Sequence, residues 1–456
     1  MSRNDPETPG ADDRERALAL LRRHGRDVTS FQLLEPGFRY FFAEDGLVAY
    51  VDTKSAWVAG GGPVAPPDRL EAVARAFVSA AKERGLRASF FAVGPGFEAR
   101  GFPRVRVGEQ PFWDPRRWDE VVREHASLRY QLRRARAKGV SVRQVDAGEM
   151  SDPGSATRRA VEGLVDAWLG ARPLAPMGFL VDVEPFDFPG ERLYFVAERE
   201  DRVIAFLNAV PIYARRGWFI EDLLRASDAP NGTAELLVDH AMRAAAERGS
   251  ELVSMGLAPL AGHVPRRLRV ARAVSRPLYD FRGLHAFKAK LRPHGWEPID
   301  VAAAPHGSPW VALFDGLRAF ARGSMLRFGL ETFARGPVAV LWALSLLLVV
   351  WTPLLALAPA RLFPSPGVQA AWVAFDVALA LALLSLCRTY RPRLGEALVV
   401  LVSADAALTL LQAALYNAPR AVRTIDWIVI AVACAGPVLG ALALRGSVRR
   451  RREVQP

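Results

Sequence analysis

The stretch "SLRYQLRRARAKGVSVRQV", residues 127–145, decides how the chain is divided. It reads as a basic helix over 127–138 that ends at Gly139, where a glycine tolerates the left-handed backbone that closes a helix, followed by a short strand. On its N-terminal side, "LVAYVD" (47–52), "SAWVAGG" (55–61) and "ASFFAVG" (88–94) have strand composition, and 68–84 has the 3.6-residue apolar spacing of an amphipathic helix. On its C-terminal side, "RLYFVAER" (192–199), "VIAFLNAVPIYA" (203–214) and "ELVSMGL" (251–257) repeat the strand pattern and 233–248 repeats the helical one. The basic helix thus separates two halves of similar size, each an order of strands, one helix and a further strand, and the class expected is α/β.

At 456 residues the chain has room for about two or three domains, and its apolar share of 51% exceeds what a purely soluble enzyme needs. The surplus lies towards the C-terminus. Segments 338–358 ("VAVLWALSLLLVVWTPLLALA"), 370–387, 395–416 and 425–444 each approach the roughly 20 residues of a bilayer-crossing helix. Four spans would place the N-terminal region, the loop with Arg388, Arg391 and Arg393, and the tail "RGSVRRRRE" on one side, against Arg361, Arg420 and Arg423 on the other. The positive-inside rule makes the first side cytoplasmic. Asp376 and Asp405 fall inside the second and third spans, as candidates for a proton or lipid path or as polar contacts between helices near Ser403. The opening residues "MSRNDPETPGADDRER" are polar, show no signal-peptide pattern and are expected to be disordered.

The formal charge of +12 points to an anionic partner such as phospholipid or nucleic acid, or to the base composition of the coding genome. Cys387 and Cys434 both lie in apolar stretches, so no disulfide framework, zinc spacing or thiol nucleophile can be built from them. The histidines, His24, His125, His240, His263, His285, His294 and His306, lack the spacing of a ligand set, and there is no G-x-S-x-G elbow.

Five stretches follow one another in order: "SFQLLEPGFRYFF" (30–42), "LRYQLRRARAKGVSV" (128–142), "IEDLLRASDAPNGTAELLVDHAM" (220–242), "SMGLAPLAG" (254–262) and "YDFRGLHAFKAKLRPHGWEPI" (279–299). Together they resemble the catalytic domain of the phosphatidylglycerol lysyltransferases, the multiple peptide resistance factor family, over about residues 30–300. The resemblance implies a pair of GNAT-like acyltransferase lobes that move an amino acid, lysine by default, from aminoacyl-tRNA to a phosphatidylglycerol hydroxyl, with no metal or cofactor. The expected layout is a disordered 1–16, lobes at 17–145 and 146–320, four transmembrane helices within 336–445 and a basic cytoplasmic tail at 446–456. That makes a multi-pass protein of the cell membrane with a cytoplasmic catalytic domain. In the family a large membrane part precedes the catalytic domain; here apolar segments follow it.

Aminoacyl transfer needs a hydroxyl relieved of its proton, charge on the carbonyl oxygen stabilised and the substrate ammonium held. The carboxylates and arginine of "EDLLR" (221–225) meet part of that need. By similarity to the family's Asp-Leu-Met-Arg element, Asp222 and Arg225 are candidate catalytic residues, joined by Glu297 of the Trp-Glu element. Asp222 would hold the ammonium or polarise the hydroxyl; Arg225 would bind a phosphate or the terminal adenosine. Without the resemblance, the same residues read as a salt bridge at a loop entrance.

Glu221 and the turn Pro230, Asn231, Gly232 are candidate substrate contacts. Pro230 fixes φ, Asn231 caps, and Gly232 lets an anion approach the amides that open the 233–248 helix, although an ordinary helix start has the same residues. Gly256 and Pro259 shape a substrate-lining turn, and Lys288 and Lys290 match the family's Lys-rich element, while Phe287 and Trp296 read as packing residues. Arg129, Arg133, Arg134, Arg136 and Lys138 suit tRNA phosphate or anionic lipid, or form a merely solvated basic helix. Where the family continues Trp-Glu-Pro-Arg-Tyr, this chain has "WEPIDVAAAP" (296–305), which leaves the amino acid open. Two other readings stand beside this one: an acyl-CoA-dependent GNAT N-acyltransferase, whose Q/R-x-x-G-x-G/A pyrophosphate loop is missing, and a non-catalytic membrane protein that binds tRNA or lipid.

Overall fold

The computed structural model describes residues 10–172, 174–274, 279–335, 337–388, 392–422 and 424–454. The chain divides into two compact units, the first running to Phe328 and the second comprising Gly329–Pro456 with Pro173–Ala175.

The first unit is built on twelve strands: β1 (Arg39–Ala43), β2 (Gly46–Asp52), β3 (Ala56–Gly60), β4 (Arg87–Val93), β5 (Arg104–Trp113), β6 (Ser141–Val145), β7 (Leu193–Arg199), β8 (Arg202–Ile212), β9 (Gly217–Arg225), β10 (Leu252–Ser254), β11 (Ala258–Pro259) and β12 (Gly295–Ala303). Its helices are α1 (Ala11–His24), α2 (Leu70–Glu83), α3 (Trp118–Glu124), α4 (Ala126–Ala137), α5 (Ala147–Ser151), α6 (Ala156–Ala171), α7 (Thr233–Glu247), α8 (Arg266–Val274), α9 (Phe281–Lys290) and α10 (Pro309–Phe320), and α11 (Met325–Arg335) runs across the unit boundary.

All the strands join one mixed sheet in the order β1-β2-β3-β4-β12-β5-β10-β9-β8-β7-β6, with β11 beside β5. Most ladders are antiparallel. The parallel pairs are β3 with β4 and β9 with β10, each made by a crossover through one amphipathic helix, α2 in the first case and α7 in the second. Interior strands such as β3 are buried along their whole length, which explains their unbroken apolar composition. The strand–helix–strand order read in each half is therefore real, but the halves are not two separate sheets. β6, expected to close the first lobe, pairs with β7, and β12 from the C-terminal part is inserted between β4 and β5. Strand composition marks which residues are buried; it does not choose the long-range partner.

The basic helix spans Ala126–Ala137, and Gly139 takes φ +76° at its end. Its Leu128, Leu132 and Ala135 share one apolar cluster with Leu236, Leu237 and Ala241 of α7. At the N-terminus, residues 1–9 of the stretch expected to be disordered lie outside the described residues, but 11–16 are helical. There α1 buries Ala17, Leu18 and Leu21, and Arg14 donates to the Leu34 carbonyl at 2.7 Å. An apolar stripe that follows a polar opening is enough to order it.

The second unit contains α12 (Pro337–Ala356), α13 (Pro366–Arg388), α14 (Pro392–Gln412) and α15 (Thr424–Val454). Many large apolar side chains point outward, among them Leu346, Val350, Leu381, Val400 and Leu439. Against the four spans expected, two helical stretches among the described residues are, by length and composition, long and apolar enough to cross a membrane: Pro366–Leu386 and Arg393–Arg420. Leu344–Ala356 and Ala433–Leu442 are shorter apolar pieces. Residues 446–454, expected as a tail, continue α15 as helix.

Candidate active site

Parallel strands β9 and β10 stay paired only from Gly217 to Phe219 and from Leu252 to Ser254; beyond that point they part. Glu221 and Asp222 lie on β9 just past the parting. Against β8 the register shifts between Asn208 and Ala209: Asp222 faces Asn208 and Ile220 faces Ala209, which leaves Glu221 as the extra residue of a bulge. In a regular strand neighbouring side chains point to opposite faces. Here Asn208 Nδ2 reaches both, donating to Glu221 Oε2 at 2.9 Å and to Asp222 Oδ2 at 3.0 Å.

Two further buried residues complete the cluster. Arg192 donates to Glu221 Oε2 at 2.5 Å, both side chains being almost wholly buried. Glu35, in the loop after the turn Phe31–Leu34, is buried with neither carboxyl oxygen partnered. Burial, then the charge of Glu221, raises the Glu35 carboxyl well above its ordinary value, with Arg192 opposing. Burial and then Glu221 also push Asp222 up to about 7. Glu221 Oε1 and Asn208 Oδ1 also lack partners. Every orphaned atom in the cluster is an acceptor. Buried polar atoms in native proteins are normally satisfied, so this is a site short of donors, suited to a ligand ammonium.

The sequence brought out Glu221 and Asp222 but not Glu35, Asn208 or Arg192. The signal for two of them was present: Glu35 interrupts an apolar run in "FQLLEPGF", and Asn208 interrupts "VIAFLNAVPI". Arg225 stands exposed at the end of β9 and, among the described residues, makes no hydrogen bond or ion pair with the cluster. Glu297 lies elsewhere, on β12, held by both terminal nitrogens of Arg215 at 2.9 and 2.5 Å and by Gln110 at 3.1 Å. Burial works against it, but these bonds keep its carboxyl below the usual value.

The lysines expected to touch substrate are engaged within the fold. Lys288 is buried, and its Nζ donates to the carbonyls of Met255, Gly256 and Leu257 at 2.8, 2.8 and 2.9 Å. This ammonium clamps the segment where β10 leaves β9, and burial lowers it to about 7. Lys290 pairs with the buried Glu235 at 2.6 Å. Gly256 takes φ +67°, and a Cβ there would lie 2.7 Å from the Phe219 ring, so this position needs glycine for packing as well as conformation. Pro259 continues the segment on β11, opposite Gly108 of β5.

The turn before α7 also differs from expectation. The cap position is Gly232 at φ +97°, with no side-chain cap, and Asn231 is exposed rather than capping. Pro230 accepts from the Thr233 hydroxyl at 2.7 Å. A Cβ on Gly232 would sit 2.3 Å from the Gln131 carbonyl of α4. This glycine permits close approach to the basic helix.

Within the basic patch, Arg136 pairs with the fully buried Asp239 at 3.1 Å, and Arg129 donates to the carbonyl of Val122 at 3.2 Å. The side chains of Arg133, Arg134 and Lys138 make no hydrogen bond or ion pair among the described residues, which leaves three cations for an anion. In the second unit, Asp376 and Asp405 are buried and line a cavity of about 630 Å³. Ser403 bonds back to the Val399 carbonyl of its own helix at 2.7 Å and serves neither.

Comparison with known proteins places this architecture. A family model described as "Phosphatidylglycerol lysyltransferase, C-terminal" matches residues 18–302. A phosphatidylglycerol lysyltransferase of Bacillus subtilis (strain 168) is 26% identical over 318 residues, which is 66% of this chain and 36% of that protein; the chain thus matches about a third of its relative's length. Among solved structures, L-PGS from Bacillus licheniformis is 22% identical with a TM-score of 0.58, over 70% of this chain and 99% of that one. A C-terminal domain from Agrobacterium fabrum, assigned to a putative lysylphosphatidylglycerol synthetase, is 23% identical with a TM-score of 0.59, over 69% and 99%. Both share the fold. With the family model covering well over half of its residues, this chain belongs to the phosphatidylglycerol lysyltransferase C-terminal family.

Proposed function

We propose that the protein transfers an amino acid, lysine by family default, from aminoacyl-tRNA to a hydroxyl of phosphatidylglycerol at the cytoplasmic face of the cell membrane. One observation carries this reading: where β9 and β10 part, the buried atoms of Glu35, Glu221 and Asn208 left without partners beside Asp222 are all oxygens, which a ligand ammonium would satisfy.

In this reading Glu35 and Glu221 hold the ammonium, and Asp222 exchanges a proton. The lipid hydroxyl oxygen bonds to the aminoacyl carbonyl carbon, its proton passes to Asp222, the ester bond to the terminal ribose breaks, and the ribose oxygen takes a proton back. A base with a pKa near the working pH suits that exchange. Arg225, exposed at the strand end, would meet a phosphate or the terminal adenosine. Arg133 and Arg134 on α4 and Lys138 at its C-cap would meet tRNA phosphates, and the second unit would serve as a membrane anchor.

The test is made on full-length protein in vesicles containing phosphatidylglycerol, supplied with labelled amino acids and charged tRNA. Labelled lipid forming only when the tRNA is charged is the expected result, and the amino acid that appears identifies the donor. Absence of labelled lipid with all common aminoacyl-tRNAs overturns the reading. Arg225→Ala is expected to raise KM for charged tRNA with kcat little changed.

A further inference from the structure

The first parallel pair opens a recess of its own. β3 and β4 pair as far as Gly60 and Phe91, and past them the wall bulges at Ala92, which is skipped in the register with β12 and held at φ +65°. A cavity of about 310 Å³ lies there, lined by Arg26, Asp27, Thr29, Gly94, Arg215 and Glu297 among others. Ligands of α/β sheets collect where parallel strands end and diverge, and this volume suits a small molecule.

Its chemistry differs from that of the Glu35 cluster. Arg215 and Glu297 neutralise each other. Asp27 accepts from the Gly62 amide at 2.9 Å through Oδ2 and has no cation bonded to it among the described residues. Three glycines crowd this carboxylate: a Cβ on Gly61, Gly62 or Gly94 would come within 3.2 to 3.4 Å of its oxygens. Burial raises the Asp27 carboxyl above its usual value. The Thr29 hydroxyl is buried without a partner, and Arg26 makes no ion pair among the described residues. A carboxylate with one backbone donor and no cation, an unfilled hydroxyl and a guanidinium without an ion pair together ask for a hydroxyl donor and one anion on the same ligand.

We propose that this recess binds a glycerol phosphate group, with Asp27 and Thr29 holding one hydroxyl, Arg26 the phosphate, and the second hydroxyl left free to react. As the acceptor head group it rests on the function proposed above, which requires a phosphatidylglycerol hydroxyl to enter the first unit. Leu257, adjacent to Gly256 where β10 leaves β9, also lines this cavity, so one segment borders both recesses.

Calorimetry on the full-length protein in detergent micelles tests the assignment, with glycerophosphoglycerol, inorganic phosphate and glycerol as separate titrants. Wild type is expected to bind glycerophosphoglycerol at least about tenfold more tightly than either fragment, one hydrogen-bonded charge being worth that much. Asp27→Asn, Arg26→Gln and Thr29→Val should each weaken it, whereas Glu35→Gln, in the ammonium cluster, should not. Thermal melting identifies any variant that fails to fold, and the remaining ones decide. Binding lost in Glu35→Gln but kept in Asp27→Asn, phosphate binding as tightly as the diester, or no binding by wild type overturns the proposal. An intact Asp27-dependent site in a protein that makes no aminoacylated lipid would instead overturn the reaction and leave the site standing.

Discussion

At the scale of single residues, the bulge at Glu221 matters most, because it collects three carboxylates around one bonded guanidinium. Asp222→Asn is expected to lower kcat by about 10²-fold or more, measured with charged tRNA and lipid vesicles. Wild-type kcat should rise with pH through about 7, where Asp222 gives up its proton. Stability should move the opposite way. A carboxyl near pH 4 when unfolded and about 7 when folded keeps more protons in the native state between those values, so its contribution is full below about pH 4 and is lost as pH rises through 7. Glu35→Gln separates the two effects: the buried glutamate has no partner and its ionisation is disfavoured by burial and by Glu221, so the neutral amide should be more stable by roughly 1 kcal/mol while KM for charged tRNA rises about tenfold. A variant that lost stability and kept its KM would show that Glu35 is structural.

At the scale of elements, the segment Met255–Leu257 is set by a side chain far along the chain. Three inward carbonyls accept from Lys288, and only a protonated amine has three donors to give them. Lys288→Met should therefore cost about 1–3 kcal/mol by thermal or urea denaturation, since the carbonyls stay buried without partners. It should also lower activity without altering the Glu35 cluster. Unchanged melting would mean that the segment holds its shape unaided. Gly256→Ala tests the same segment from the other side, with a Cβ forced against Phe219.

At the scale of the whole molecule, one unit carries both recesses and the other carries the apolar helices. A chain ending at Phe328 is expected to keep activity on phosphatidylglycerol in detergent micelles and to lose efficiency on intact bilayers. If it folds but is inactive in micelles, the helices contribute to the lipid site. The free cations of α4 give a second whole-molecule test: replacing Arg133, Arg134 and Lys138 by alanine should weaken tRNA binding and reduce its salt slope, by about one for each phosphate that is no longer neutralised. A slope that did not change would assign those residues to solvent.

What the sequence determined by itself was local. Period and composition placed β2, β3, β4, β7, β8, α2, α4 and α7, because burial of a face is written in the spacing of apolar residues. The motif around Asp222 was legible through its resemblance to the family's Asp-Leu-Met-Arg element, a short run of chemistry on one strand. The rest depended on which strand lay beside which. Register against β8 made the bulge that turns Glu221 and Asp222 to one donor, insertion of β12 carried Glu297 away from them, and the fold brought Glu35 in from a loop almost two hundred residues earlier in the chain. Lys288 and Gly232, which look like ligand contacts in sequence, make a carbonyl clamp and a close helix contact within the fold. A charged residue in a motif can as readily satisfy buried backbone as meet a substrate, and only tertiary contacts distinguish the two.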